Sequence, residues 1–497
     1  MHTKRTPNHT VPLCPMATSR TAHTSRPPRS PLGARSSRYQ AVVDRLAAAI
    51  RSGQLPAGQR LPTHRELAAR EGLALVTASR VYAELAAMGL VSGETGRGTF
   101  VKETALPPGH GIDIPPAALG SVDLSFNVPT LPSQAELLRT ALRQLALTGD
   151  LEALLRYQPH GGRPRDRAAV ALHLRDRGLQ VTGEQVVLVD GAQHGLTVAL
   201  MARLSPGDVV AVDALTYPGF KLLAQQLHLE LLPIPAIAHG PAQGPDLAAL
   251  QQLCRQRSVR AIYTQPTLHN PLGWVLSLSQ RLQLVAVARE HDLMLIEDGA
   301  YAYLADPAPP PLATLAPERT VYVSGFSKNV AAGLRVGFAA APLDWVPDLE
   351  RAIRATTWNT PGVMAAIACG WLEDGTVARL EADKRADAAL RQQLAAHVLG
   401  EVLGEVLSGT PSTLRPDLRI VAHPCSYFLW LPLPPEARAD QIAAALLQQQ
   451  IAVSTAEPFA TTAQAPHALR LALGSVPLEV LEPALRQVAQ AVLYACD

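Results

Sequence analysis

Between residues 122 and 345, short apolar runs of strand length alternate with amphipathic helical stretches, and this alternation constrains the fold more than any other feature. The runs fall at 186–189, 209–212, 261–264, 294–297 and 320–323. A repeated strand–helix alternation predicts an α/β sheet with helices on both faces. The apolar runs are too short to span a membrane, so no membrane partner is expected.

The chain has 497 residues, too many for one ordinary domain, and its 47% apolar content predicts that most of it is globular. Residues 1 to 43 contain no Asp or Glu but carry Lys4, Arg5, Arg20, Arg26, Arg29, Arg35 and Arg38 among Pro, Ser and Thr. That composition predicts a disordered basic arm over 1–38, without the apolar core of a secretory signal. Residues 39–101 read as a separate unit. Val42, Val43, Leu46, Ala49 and Ile50 recur at helical spacing, Thr63-His64-Arg65-Glu66 is a capping box, and a third helix is expected from Leu75 to Met88. Leu90 to Ser92 and Thr99 to Val101 flank a basic glycine turn, and three helices with such a hairpin make a winged helix-turn-helix. A Pro/Gly linker is expected over 102–121, a large α/β domain over 122–345 and a smaller α+β domain over 346–497. The net charge of +2 announces no nucleic-acid partner, and five scattered cysteines read as reduced thiols without metal-ligand spacing, so no metal is expected and a cytoplasmic location is.

The chemistry concentrates between 298 and 335. Asp298 ends an apolar run, Tyr301 follows, Lys328 closes Ser324-Gly325-Phe326-Ser327-Lys328, and Arg335 lies seven residues on. A carboxylate to keep a pyridine nitrogen protonated, a lysine to form a Schiff base and an arginine to neutralise phosphate are the parts that hold pyridoxal 5'-phosphate (PLP). Taken singly, each has a plainer explanation: a surface lysine, a helix cap, a rim aromatic. Order and position at strand ends, where α/β folds bind ligands, favour the site.

Two family resemblances follow. Leu61-Pro62-Thr63-His64-Arg65-Glu66-Leu67-Ala68, Thr77-Ala78-Ser79-Arg80-Val81-Tyr82 and Gly96-Arg97-Gly98-Thr99-Phe100-Val101 resemble the GntR-type winged helix. Residues 122–497 resemble a fold type I aminotransferase, and the fusion is similar to the MocR subgroup of GntR regulators. The aminotransferase resemblance implies that Ala192 and Gln193, in Asp190-Gly191-Ala192-Gln193-His194-Gly195, offer backbone N–H groups to the cofactor phosphate at a helix start. It implies that Tyr217 stacks on the pyridine ring, that Asn270 and Tyr301 bond its phenolic oxygen, and that Asp298 pairs with its nitrogen. Lys328 would be the internal aldimine and proton shuttle, Ser327 and Arg335 would bind phosphate, Tyr157 would reach the phosphate of the other subunit of a homodimer, and Arg470 would clamp a substrate carboxylate. The chain departs from the pattern where Gly325 stands for a common Ser or Thr, Ala332 for a Pro and Leu272 for a Thr or Ser.

On the DNA side, the resemblance implies contacts from Arg65, Thr77, Ser79, Arg80 and Arg97, while Leu75 and Val76 replace polar or basic residues of many relatives. The expected function is a PLP-dependent DNA-binding regulator that senses PLP or an amino compound through an aldimine at Lys328. The alternative is a working aminotransferase that passes an amino group from an amino acid to a 2-oxo acid, with an accessory DNA-binding domain. A third reading, a PLP fold kept only as a dimer scaffold, leaves Lys328, Asp298 and Asn270 unexplained. His64 reads as a solvated helix residue.

Overall fold

The structure, a computed structural model, describes residues 38–51, 54–56, 59–88, 90–94, 98–101, 121–237, 243–408, 419–434, 437–462 and 464–495. All of the expected basic arm but Arg38, nearly all of the linker, and Arg97 lie outside these residues.

The amino-terminal unit has helices Arg38–Arg51, His64–Glu71 and Leu75–Ala87, then an antiparallel hairpin of Val91–Glu94 and Gly98–Val101. The capping box forms as expected: Glu66 N donates to Thr63 Oγ1 (3.3 Å) and Thr63 N to Glu66 Oε2 (2.8 Å). Gly72 closes the second helix in the left-handed region (φ 61°), where a side chain is strained. Val43, Ala78, Val81 and Leu85 pack as one small core.

A seven-stranded sheet forms the centre. Its order is Val186–Val189, Gly337–Ala340, Thr320–Gly325, Met294–Asp298, Val259–Thr264, Val209–Asp213 and Glu230–Ile234. All pairs are parallel except those made by Gly337–Ala340. Helices cover both faces, so the central strands bury both sides and read as continuous apolar runs. Two strands escape the sequence reading. Glu230–Ile234 contains Pro233 and takes the edge, where a missing N–H costs least. Gly337–Ala340 opens on glycine because a Cβ at Gly337 would lie 2.6 Å from the carbonyl carbon of Gly191.

Past the sheet, helices Val346–Thr356 and Gly362–Glu373 lead into the 33-residue helix Thr376–Ser408. A second sheet follows, in the order Val421–Ala422, Phe428–Pro432, Ala468–Ala472, Ile451–Thr455 and Val122–Leu124. Its last strand is the first after the linker, paired parallel with Ile451–Thr455, so the chain visits this layer before building the large sheet. Among the described residues no helix is long and apolar enough to cross a membrane.

One buried histidine gives the fold an acid sensitivity. The His173 ring lies near Phe326 and Phe338, and Arg177 Nε donates to His173 Nε2 at 3.2 Å, which requires the neutral imidazole. Burial, with Arg177 beside it, pushes its pKa down to about 3. The unfolded chain takes up this proton below the ordinary imidazole value of 6.5 and the native chain does not, so stability falls as pH drops from 6.5 towards about 3. The expected loss is about 2 kcal/mol at pH 5. Urea unfolding at pH 7 and pH 5 checks it, and His173→Gln should shrink the difference between the two pH values.

Candidate functional site

The residues predicted on the large sheet lie on the loops at the carboxyl ends of the parallel strands, where open α/β sheets bind ligands. Asp298 sits at the end of a wholly buried strand. Its Oδ2 accepts from Tyr263 Oη (2.8 Å) and Gln265 Nε2 (2.9 Å), and its Oδ1 from Ala300 N (2.9 Å). Burial pushes its pKa up, while these three donors and nearby His269 pull it back towards the ionised form. Gln265 also accepts from Asn270 N (3.0 Å), which ties the two loops together, and Asn270 Oδ1 is buried without a partner among the described residues.

Lys328 follows the neighbouring strand, with Nζ near the rings of Phe126 (5.0 Å) and Tyr301 (6.0 Å) and donating to Asn127 O at 2.6 Å. The chain has only five lysines, and Lys4 and Lys102 lie outside the described residues. Lys221 Nζ donates to the carbonyls of Glu457, Pro458 and Ala460, and Lys384 Nζ to those of Pro129, Lys328 and Val330. Each is saturated with three acceptors. Lys328, with a single carbonyl, is the described lysine whose amine has capacity left for chemistry.

The fourth side of the pocket is built for an anion. Gly191, at φ 82°, opens the helix Ala192–Arg203, whose first N–H groups have no intrahelical acceptor. Arg335, itself left-handed at φ 51°, donates from Nη2 to Asp190 O (2.9 Å) and from Nη1 to Ser327 Oγ (3.4 Å). At φ 82° a side chain at Gly191 would be strained, and its Cβ would lie 2.9 Å from Arg335 Nη2. The departure at Gly325 has a steric reason: a Cβ there would lie 2.9 Å from Gly337 Cα and 3.0 Å from Val336 O. Ser324, one residue earlier, turns away and donates to Gly299 O (3.1 Å).

Tyr217 stands at the start of the helix Pro218–Gln226; burial, with Asp298 and Tyr301, raises its phenol pKa, and Arg335 pulls it back. Gln193 Nε2 donates to Gly219 O (2.9 Å), and its Oε1 has no partner among the described residues. Arg470 lies on the central strand Ala468–Ala472 of the second sheet, 7% exposed. Its Nε and Nη1 have no hydrogen-bond partner among the described residues, although a buried guanidinium demands them. Tyr157 is not gathered in: it is 86% exposed and packs on Trp358.

Gln265, Tyr263 and His269 around Asp298 were not singled out in the sequence. Gln265 and His269 share the Asn270 loop, and that proximity was the available signal. Tyr263 gave none, because it reads as one more apolar strand residue.

On the winged helix, Arg65 and Arg80 are exposed and Thr77 is half-buried. The Arg80 guanidinium lies 4.8 Å from the centre of the Tyr39 ring. His64 corrects the expectation of a solvated residue: it is half-buried, stacks near Tyr82 and bonds Ser79 Oγ at 2.9 Å, joining the second and third helices. Val76 is 82% exposed at the start of the third helix, and Ala74 before it gives no side-chain cap.

A winged helix joined to an α/β fold with a lysine, a buried carboxylate and an anion cradle at its strand ends defines a regulator-like protein on an aminotransferase scaffold. Residues 120–488 match the aminotransferase class I and II family and residues 38–101 the bacterial regulatory proteins of the gntR family. The chain belongs to the class I and II aminotransferases, a PLP-dependent fold family, in the MocR-type arrangement with a GntR domain ahead. It is 25% identical over 485 residues to the uncharacterized HTH-type transcriptional regulator YjiR of Escherichia coli, covering 93% of this chain and all of that one. It is 25% identical over 370 residues to the probable rhizopine catabolism regulatory protein MocR of Rhizobium meliloti, covering 68% and 72%. Among solved structures it resembles LysN, the alpha-aminoadipate aminotransferase of Thermus thermophilus, with a TM-score of 0.66 at 25% identity over 76% of this chain and 93% of that one.

Proposed function

We propose that the chain is a PLP-dependent transcriptional regulator whose aminotransferase-like part senses PLP or an amino compound and whose winged helix binds operator DNA. The single observation that supports it best is the physical link between the two parts. Arg438, 8% exposed on the second-sheet domain, reaches Asp44 (2.8 Å) on the first helix and Glu84 (3.6 Å) on the third. Glu84 accepts from Tyr39 Oη, and Tyr39 lies under Arg80. His467, 3.9 Å from Asp44, immediately precedes the strand that holds Arg470. The ligand-side arginine and the contact to the winged helix therefore lie three residues apart, about 10 Å along the chain.

The pocket residues suit PLP. Gly191, Ala192, Gln193, Ser327 and Arg335 would hold the phosphate, Tyr217 the ring face, Asn270 and Tyr301 the phenolic oxygen, and Asp298 the ring nitrogen. Bound PLP supplies an electrophilic aldehyde and an electron-accepting ring. Lys328 would hold that aldehyde covalently and be released when an amino compound displaces it. Arg470 would bind the newcomer's carboxylate. A ligand shifts the two-domain arrangement only by contacts that differ between states, and Arg470 offers such a contact next to the Arg438–Asp44 link.

A homodimer is part of the proposal. Leu147, Leu151, Leu155 and Tyr157 are exposed apolar side chains in one short stretch, Tyr157 packs on Trp358, and Trp358 and Val363 are exposed as well. Such exposed apolar side chains fit a second copy better than water, and Tyr157 would then reach the other pocket. On the DNA side, Arg65 and Arg80 would position the domain on phosphates with Thr77, and exposed Val76 would meet thymine methyl groups in the major groove. A protein with these partners works in the cytoplasm.

The second reading, a working aminotransferase, draws on the same unpaired Arg470 and the complete Lys328–Asp298–Asn270 set. One experiment separates the two. The full-length protein is titrated with PLP and then amino acids, with visible absorbance and affinity for the DNA upstream of its own gene both followed. The regulator reading expects a Schiff-base band and a ligand-dependent change in DNA affinity. Steady turnover to a 2-oxo acid without DNA binding would establish the aminotransferase instead.

A further inference from the structure

Lys384 belongs to no motif named above, yet its fully buried amine lies at the root of the Lys328 side chain. It stands on the helix Thr376–Ser408, far along the chain from the Lys328 turn. Its Nζ donates to three backbone carbonyls: Pro129 O (2.8 Å), Val330 O (2.9 Å) and Lys328 O (3.0 Å). An ammonium has three donors, so all of them are used within the protein.

The three acceptors fall at the two ends of the Lys328 side chain. Lys328 O and Val330 O belong to the turn from which that side chain starts. Pro129 lies two residues past Asn127, whose carbonyl accepts from Lys328 Nζ at 2.6 Å. One ammonium thus ties the backbone that carries the reactive lysine to the segment on which its amine rests.

The neighbours of Lys384 hold the same turn. Glu381, one helical turn earlier, accepts from Asn329 Nδ2 (2.6 Å) and from Arg177. Arg385 Nη1 donates to Tyr303 O (2.9 Å), and Tyr303 Oη donates to Lys328 O (2.9 Å). Loss of the Lys384 amine would therefore leave the turn fastened: Lys328 O keeps Tyr303 Oη, and Val330 O keeps Gln134 Nε2. Pro129 O has no second donor among the described residues, so the 127–129 segment is the part set free.

We propose that Lys384 is a positioning residue: by fastening the Lys328 turn to the 127–129 segment, it holds the Lys328 amine in the place from which it captures PLP. This rests on the proposed PLP-dependent reading of the pocket. A reacting group held in place gains as if highly concentrated, and a displacement of about 1 Å can cost about a hundredfold.

The test compares two probes on the full-length protein by isothermal titration calorimetry, with visible absorbance following the covalent band. PLP carries an aldehyde, which the Lys328 amine joins with release of one water. Pyridoxine 5'-phosphate carries an alcohol there and binds without a covalent bond. Lys384→Met keeps the stem and removes the charge and all three donors. It is expected to weaken PLP about tenfold or more and pyridoxine 5'-phosphate by less than about twofold. Lys384→Gln keeps two N–H donors and should fall between the wild type and Lys384→Met. The glutamine variant also gives the comparison where methionine lowers the thermal midpoint below the titration temperature. Equal losses for the two probes would make Lys384 a tie within the fold and overturn the inference, as would no loss for either. A wild-type protein that gives no visible band with PLP would instead bring down the pocket reading, and this inference with it.

Discussion

Lys328→Ala protein is expected to give no Schiff-base band with PLP and no PLP attachment on borohydride reduction, while it folds as the wild type does. The first part follows from the small number of lysines. Lys221 and Lys384 are buried by their surroundings, which push their pKa values down to about 8 and about 7 respectively. A lowered pKa would favour nucleophilic attack, but each amine is held by three carbonyl acceptors and would have to abandon them. The second part follows from what Lys328 does in the fold. Its amine gives one hydrogen bond, to Asn127 O, and its side chain is only half-buried, so truncation should cost about 1 kcal/mol. Circular dichroism and the thermal midpoint check folding, and the DNA-affinity response to amino compounds should vanish with the band. A surviving band would move the covalent site to another lysine, and mass spectrometry of the reduced adduct would show which.

Arg438→Met should separate the winged helix from the rest of the chain without touching the pocket. Arg438 faces Asp44, Glu84 and Asp440 at 2.8, 3.6 and 3.6 Å, and its Nη2 lies 3.8 Å from Met88 Sδ. Methionine keeps the length of the stem and removes the charge, which leaves three carboxylates around an apolar end. Removing one partner of a fully buried ion pair costs about 3–5 kcal/mol, and here Asp44 and Asp440 keep part of their hydration, so about 2–3 kcal/mol is expected. The expected signs are an earlier, separate unfolding transition for the winged helix, an unchanged visible titration with PLP and amino acids, and loss of the link between that titration and DNA affinity. A ligand response of DNA affinity that persists in this variant would sink the proposal that Arg438 transmits it.

The residues named at the pocket were legible because the local sequence explains each one's position. Asp298 ends an apolar strand, Gly191 opens a helix, and Lys328 and Arg335 lie between Gly325 and Gly337, where a Cβ would run into backbone atoms. The winged helix was legible for the same reason: a capping box, a left-handed glycine and two helical periodicities are all local devices. Arg470 was legible by resemblance alone, since Leu-Arg-Leu by itself equally describes a charge on an edge strand. The structure puts it on a central strand, between Phe428–Pro432 and Ile451–Thr455.

What the sequence by itself determined is the order of the two units, the strand–helix alternation of the sheet and the residue types at its strand ends. These depend on periodicity and turn chemistry, which act over a few residues. Only the tertiary structure decided that Val122–Leu124 joins the second sheet, that Asn127 thereby reaches Lys328 from 201 positions away, and that Arg438 meets Asp44 across 394. Contacts of that span leave no periodic trace in the chain, because burial and charge pairing between distant segments depend on how the layers pack and not on what stands next in the sequence.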